Sequence, residues 1–261
     1  APKECVILTS ATLRTDARFD YIRERLNAWE AEELAVGSPF DYARSTLLYL
    51  PTDIPEPCQP YYQRSVEQTL IELCRATGGR TLVLFTSYSQ LKNTARTIAG
   101  PLEEHGIVIY QQGDGSSRRQ LLENFKTTPQ AVLFGTRSFW EGIDVMGEAL
   151  SCLVIARLPF DVPTDPIFAA RSETFDDPFN QYSVPESILR FRQGFGRLIR
   201  SKTDRGVVVV LDKRLLNKSY GQAFLNSLPT CTVRKGPVSN LPAEAVRWLK
   251  GEITYQPDLG F

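Results

Sequence analysis

From Thr46 onward the chain repeats one pattern: a short, nearly unbroken apolar run, a break, then a longer stretch in which apolar positions recur every three or four residues. The runs lie at 46–50, 81–86, 107–110, 131–134, 152–156 and 207–211. Helical spacing follows at 61–76, 89–104 and 116–125, and again from Ser183. A strand that is apolar on both faces must be covered on both, and strands separated by helix-length crossovers pair in parallel. The pattern predicts an α/β fold, a parallel sheet between two layers of helix. In such sheets ligands collect outside the carboxyl ends of the strands. Thr86-Ser87-Tyr88, Gln112-Gly113, the loop 135–147 and Asp212 are expected on that edge.

The flanks are less regular. Residues 5–8 read as a short buried strand that leads into the hydroxyl-rich turn Thr9-Ser10-Ala11-Thr12-Leu13. Hydroxyls just past a strand end can bind phosphate, or can simply close a turn. Helical spacing over 17–29 precedes a loop through 37–40, and the tail predicts a helix at 220–228, a strand at 230–233 and a helix at 243–250. The 51–60 run is a proline-rich linker.

Composition excludes several classes. Of the 261 residues, 42% are apolar and 23% charged, and no apolar run approaches the roughly 20 residues of a membrane span. Thirty basic residues balance thirty acidic ones, so a nucleic-acid surface must be a local groove. Five cysteines without a C-x-x-C pair read as reduced core thiols of an intracellular protein, and no metal site is expected. His105, between Glu104 and Gly106, reads as a polar residue at a helix end.

The segment with the most chemistry is Gln193-Gly194-Phe195-Gly196-Arg197-Leu198-Ile199-Arg200. Ile188, Phe191, Phe195 and Leu198 make one helical stripe; Gln193, Arg197 and Arg200 make a second, roughly 200° around at about 100° per residue. Ser183 and Glu186 have the spacing of a capping box, with Pro185 tolerated in the first turn. Guanidinium forks suit phosphate oxygens; a solvated basic face near a helix end is the alternative. Each glycine inside a helix costs roughly 1 kcal/mol, so something is expected to approach this backbone closely.

Together these segments resemble the second motor half of superfamily-two helicases, in the DinG branch of the DinG/XPD family. Thr9-Ser10-Ala11-Thr12 is similar to helicase motif III and Phe85-Thr86-Ser87-Tyr88 to motif IV. Gly135-Thr136-Arg137 through Trp140-Glu141-Gly142-Ile143-Asp144 is similar to motif V, and Gln193 to Arg200 to motif VI. Arg157-Leu158-Pro159-Phe160 and the stretch from Gly206 to Arg214 add to the likeness. The resemblance implies a RecA-like three-layer domain over 46–261, preceded at 1–45 by the end of a first motor domain and a linker. It implies Arg200 as an arginine finger, Arg197 as a second phosphate contact and Gln193 as a polar ligand. Glu141, Gly142, Asp144, Gly196, Ser10 and Thr12 would serve nucleotide binding and coupling. Ser87, Tyr88, Gln112, Thr136 and Arg137 would hold the backbone of single-stranded DNA. Trp140 would either stack on a base or pack.

One departure qualifies the likeness. The chain contains no G-x-x-x-x-G-K-[ST] and no D-E-x-H, so ATP and Mg²⁺ would be bound mainly by an upstream P-loop domain of the same polypeptide. The cysteine quartet of iron–sulfur relatives is also missing. The expectation is therefore a C-terminal helicase fragment, cytoplasmic and nucleoid-associated, that hydrolyses little ATP alone. A docking module of helicase ancestry is the alternative, and a Rossmann-like enzyme suffers from the lack of G-x-G-x-x-G.

Overall fold

The computed structural model describes residues 5–15, 18–140 and 149–253. Seven strands form one sheet in the order β3-β4-β2-β5-β6-β1-β7, and every pairing is parallel. The strands are β1 (Thr46–Pro51), β2 (Thr81–Leu84), β3 (Val108–Gln111), β4 (Ala131–Gly135), β5 (Cys152–Ile155), β6 (Gly206–Val210) and β7 (Thr232–Gly236). The tail strand thus joins the same sheet, as the edge beyond β1.

Strand side chains alternate between faces, and the two cores follow that period. Leu47, Tyr49, Val83, Phe85, Val154, Val207 and Val209 lie in one core with helices α3 (Tyr62–Thr77), α4 (Tyr88–Glu103) and α11 (Leu241–Leu249). Leu48, Leu50, Leu82, Leu84, Leu153, Ile155, Val208 and Val210 lie in the other. That second face is covered by α5 (Arg118–Thr127), α6 (Arg137–Trp140), α8 (Val184–Phe195), α9 (Arg214–Asn217) and α10 (Gly221–Asn226). The short helix α2 (Tyr42–Ser45) packs Tyr42 against this second core, and two further short helices are α1 (Asp20–Leu26) and α7 (Pro166–Ser172).

The outgoing helix of β2 lies on the first face, while α6 and α8, which follow β4 and β5, lie on the second. The direction of winding therefore switches on both sides of β2, the position beyond whose carboxyl end ligands bind in open α/β sheets. Ser87 begins α4 there by accepting a hydrogen bond from Gln90 N at 3.3 Å. His105 Nδ1 lies 3.0 Å from the Pro101 carbonyl at the end of α4, as its position predicted. Arg205, just before β6, gathers distant main chain: it donates to the carbonyls of Trp248, Arg44 and Ile253, with its guanidinium 4.2 Å from the Trp248 ring centroid.

Three local expectations are corrected. Residues 5–8 are in no strand, and Val6, Ile7 and Leu8 are 72%, 80% and 59% exposed, because no described strand lies alongside to pair with them. Ser183 does not cap α8. It sits in a π-helical turn, Phe179–Ser183, that runs on into the α-helix, and its hydroxyl accepts no cap bond from the first turn of α8. Glu186 is drawn away by Tyr21, remote in sequence, whose Oη donates to it at 2.6 Å, and it lies 3.7 Å from Arg190 one turn along α8. Finally, α8 ends at Phe195. Gly196, at φ −66 and ψ 0, closes it, so Arg197 and Arg200 do not continue the row begun by Gln193.

Candidate nucleotide and single-strand site

The carboxyl edge around β2 brings together residues that follow four strands. Gln112, after β3, accepts from Thr136 N and from Thr136 Oγ1, both at 2.8 Å, and its amide nitrogen donates to Ser138 Oγ at 3.0 Å. Thr136 is consequently buried and Gln112 half-buried. Tyr88 stays 45% exposed, with its ring over Gly113. At φ +90 that glycine already favours the left-handed region, and a Cβ there would stand 3.2 Å from Tyr88 Cε1. Arg137 projects from α6 with a side chain 73% exposed, 3.7 Å from Asp161, which follows β5. Because β2 separates β4 from β5, this ion pair links the segments that follow the two strands flanking β2. Ser87, Tyr88, Gln112, Thr136 and Arg137 thus share one edge.

Behind them α8 packs directly on that edge. Gly194 faces the Trp140 ring: a Cβ would lie 2.8 Å from Cε3, 2.9 Å from Cζ3 and 3.2 Å from Leu84 Cδ1. The close approach expected of the glycine pair is therefore an indole ring, at Gly194; Gly196 serves the turn. Trp140 is 3% exposed and donates through Nε1 to the Phe85 carbonyl at 3.2 Å. It packs and offers no face to a base.

The three motif VI polar side chains diverge. Arg197 Nε donates to the Trp140 carbonyl at 3.1 Å, immediately before residue 141. Gln193 Nε2 donates to Thr12 Oγ1 at 3.4 Å, while its Oε1 is buried without a hydrogen-bond partner. Ser10 Oγ accepts from Thr12 N at 3.2 Å, which places the hydroxyls of the first turn beside α8. Arg200 lies past the helix, its N–H held by Asp204 Oδ2 at 2.7 Å. Burial raises the Tyr42 phenol, partly offset by a hydrogen bond with Ser38 and by the charge of Arg200 nearby. Glu141, Gly142 and Asp144 lie outside the described residues.

Sequence reasoning missed several residues that organise this site. Arg190 donates to Asp161 Oδ2 at 2.7 Å and so ties α8 to the segment after β5. Asp212 was expected at the ligand edge and does lie there, but it is buried and works internally. It accepts from Leu158 N at 2.9 Å and takes a fork from Arg214 at 2.9 and 2.6 Å. Asp161 lies one residue past the Arg157-Leu158-Pro159-Phe160 run, outside the residues singled out in the sequence; Arg190 and Arg192 carried no local signal. Among the described residues no group of three or more His, Cys, Asp or Glu side chains could hold a metal ion. No described helix is long and apolar enough to cross a membrane.

A parallel seven-stranded sheet covered by helices on both faces is the architecture of a RecA-like helicase second domain. The chain belongs to the helicase C-terminal domain family, whose profile matches residues 70–231. It is 40% identical over 227 residues to the ATP-dependent DNA helicase YoaA of Haemophilus influenzae, covering 85% of this chain and 35% of that protein. It is 36% identical over 253 residues to the 3'-5' exonuclease DinG of Bacillus subtilis, covering 93% of this chain and 27% of that one. The chain therefore spans about a third or less of the length of these relatives. Among solved structures, an apo XPD aligns with a TM-score of 0.55 at 20% identity, over 74% of this chain and 40% of that one. Saccharomyces cerevisiae Dbp5 bound to RNA and ADP BeF3 aligns with a TM-score of 0.53 at 19% identity, over 90% and 53%. These two likenesses show the fold.

Proposed function

We propose that the chain is the C-terminal motor domain of an ATP-dependent DNA helicase, supplying half of a split ATPase site and half of a groove for single-stranded DNA. The observation that carries this reading is the Arg197–Trp140 bond, which joins motif VI to the edge formed by Thr136, Arg137, Ser87 and Tyr88. Hydroxyls, amides and one exposed guanidinium on that edge suit a sugar–phosphate backbone held without base readout. The relatives named as DNA helicases favour DNA as the strand.

The donors of this chain fit the outer phosphates of ATP rather than a whole nucleotide. The guanidinium forks of Arg197 and Arg200 suit phosphate oxygens, but the sequence has no P-loop. An upstream domain would cradle the triphosphate and its Mg²⁺. Arg200 would then stabilise charge spread over the transferring phosphoryl oxygens, an effect worth roughly 10³ to 10⁵ in rate. Glu141 and Asp144 would couple the nucleotide side to the strand.

In the complete protein, Arg200→Ala is expected to lower strand-stimulated ATP turnover by about 10³-fold or more, with ATP binding retained. Unchanged turnover would remove Arg200 from the finger role. Steeply salt-dependent strand binding in a complete protein that hydrolyses no ATP would favour the docking-module reading instead.

A further inference from the structure

Arg192 stands one position before Gln193, outside the residues that carry the motif VI likeness. Its half-buried guanidinium reaches main chain from the other end of the sequence: Nη1 donates to the Arg14 carbonyl, and Nη2 to the Ala11 carbonyl at 3.3 Å. Burial disfavours its charge, and the Arg14 cation adds to that. Two carbonyls and the partial negative charge at the end of α8 oppose the penalty. A planar fork can bridge carbonyls three residues apart; an ammonium on a flexible stem meets one point at a time.

The bridge has a consequence at the neighbouring position. With the turn fixed by Arg192, Thr12 Oγ1 accepts from Gln193 Nε2 at 3.4 Å and Ser10 Oγ lies 3.4 Å from Thr12 Oγ1. The Gln193 Oε1 atom ends buried and unpartnered beside them. Two contacts farther along seat the same N-terminal segment independently: Tyr21 Oη donates to Glu186 Oε1 at 2.6 Å, and Arg25 lies 5.3 Å from the Tyr182 ring centroid. Removing Arg192 would therefore loosen the turn at 11–14 without detaching α1.

We infer that Arg192 is a positioning residue: its fork clamps the 11–14 turn onto α8, so that Ser10, Thr12 and Gln193 form one polar face held for the nucleotide phosphates. The inference rests on the reading of this domain as half of an ATPase site. Arg192 itself touches no phosphate and acts through its neighbours. A misplacement of about 1 Å costs on the order of 10²-fold in rate.

The test uses the complete protein, with Arg192→Ala, Arg192→Lys and Thr12→Val. All three are expected to lower kcat for strand-stimulated ATP hydrolysis, Arg192→Ala by on the order of 10²-fold, with KM for ATP and strand affinity kept within about twofold of the parent. Added methylguanidinium should restore part of the loss in Arg192→Ala and none in Arg192→Lys. A kcat within about threefold of the parent, full activity of Arg192→Lys, or a rise in KM in step with the fall in kcat overturns the inference. Amide hydrogen exchange separates the clamp from the functional reading: Arg192→Ala should speed exchange at residues 11–15 but leave 21–26 unchanged. Unaltered exchange at 11–15 overturns the clamp even if the protein proves to be an ATPase. A parent protein without strand-stimulated hydrolysis sinks the functional reading instead.

Discussion

The contact between Gly194 and Trp140 can be tested by the sign of a single substitution. An ideal Cβ at Gly194 would lie 2.8 Å from Trp140 Cε3, whereas carbon atoms settle at about 3.5–4.0 Å, so the ring would have to retreat by about 0.7–1.2 Å. It has little freedom to do so, being 3% exposed and tied through Nε1 to the Phe85 carbonyl. Overpacking of this kind costs about 1–3 kcal/mol. Replacing a helical glycine by alanine returns up to about 1 kcal/mol. Gly194→Ala should therefore destabilise the chain by about 1–2 kcal/mol, a fall of roughly 2–8 °C in melting temperature for a domain of this size. Far-ultraviolet circular dichroism during thermal or urea unfolding measures it. Gly196→Ala is the control: φ is −66 and the nearest heavy atom to its Cβ is the Arg192 carbonyl oxygen at 3.4 Å. That variant should match the parent or gain about 0.4–1 kcal/mol. A Gly194→Ala protein as stable as its parent, or more so, would refute the packing of α8 on the indole.

Two other expectations concern buried polar groups. Asp212→Ala leaves Leu158 N and the Arg214 fork without their carboxylate, and should cost about 3 kcal/mol, read as a large drop in melting temperature. Burial pushes the Cys74 and Cys152 thiols up to about 12 and about 11, and that of Cys231 up to about 12, while Cys5 and Cys58 are exposed. A thiol reagent at pH 8 should titrate Cys5 and Cys58 quickly in native protein and all five cysteines after denaturation. Because the folded values are the higher ones, the unfolded chain loses these protons first. Their stabilising contribution is complete below about pH 9 and is lost as pH rises through 11–12. A denaturation midpoint that rises over this interval would contradict the burial.

The sheet was legible because its central strands are apolar on both faces. Val207–Val210 or Leu82–Leu84 cannot lie at a solvent-facing edge, and helix-length spacers leave parallel pairing as the workable arrangement. The ends of helices were harder to read. Gln193, Arg197 and Arg200 keep helical spacing after the helix has stopped, because Gly196 turns the chain where the sequence shows only another glycine. Ser183 and Glu186 have the letters of a cap, yet Tyr21, 165 residues away, takes the glutamate. Arg192 escaped for the same reason: its carbonyl partners are 178 and 181 residues distant. At residues 5–8 the residue types are those of a strand, but a strand exists only beside another. What pattern reading recovers is local periodicity; what it loses is competition for a side chain by a remote segment.

The order of strands also bears on how the molecule is made. Of the seven strands in this sheet β1 is translated first, but its neighbours are β6 and β7, with Thr46 opposite Gly206 and Leu47 opposite Thr232. At about 5–20 residues per second, a ribosome needs roughly 10–30 s to deliver the first of those neighbours. Through that interval Leu47, Leu48, Tyr49 and Leu50 have two bare flanks and nowhere to close. The nascent chain is most exposed to clumping with its own copies before Gly206 emerges, and the stitches from Arg205 to Trp248 and Ile253 wait for a further stretch of synthesis beyond β7.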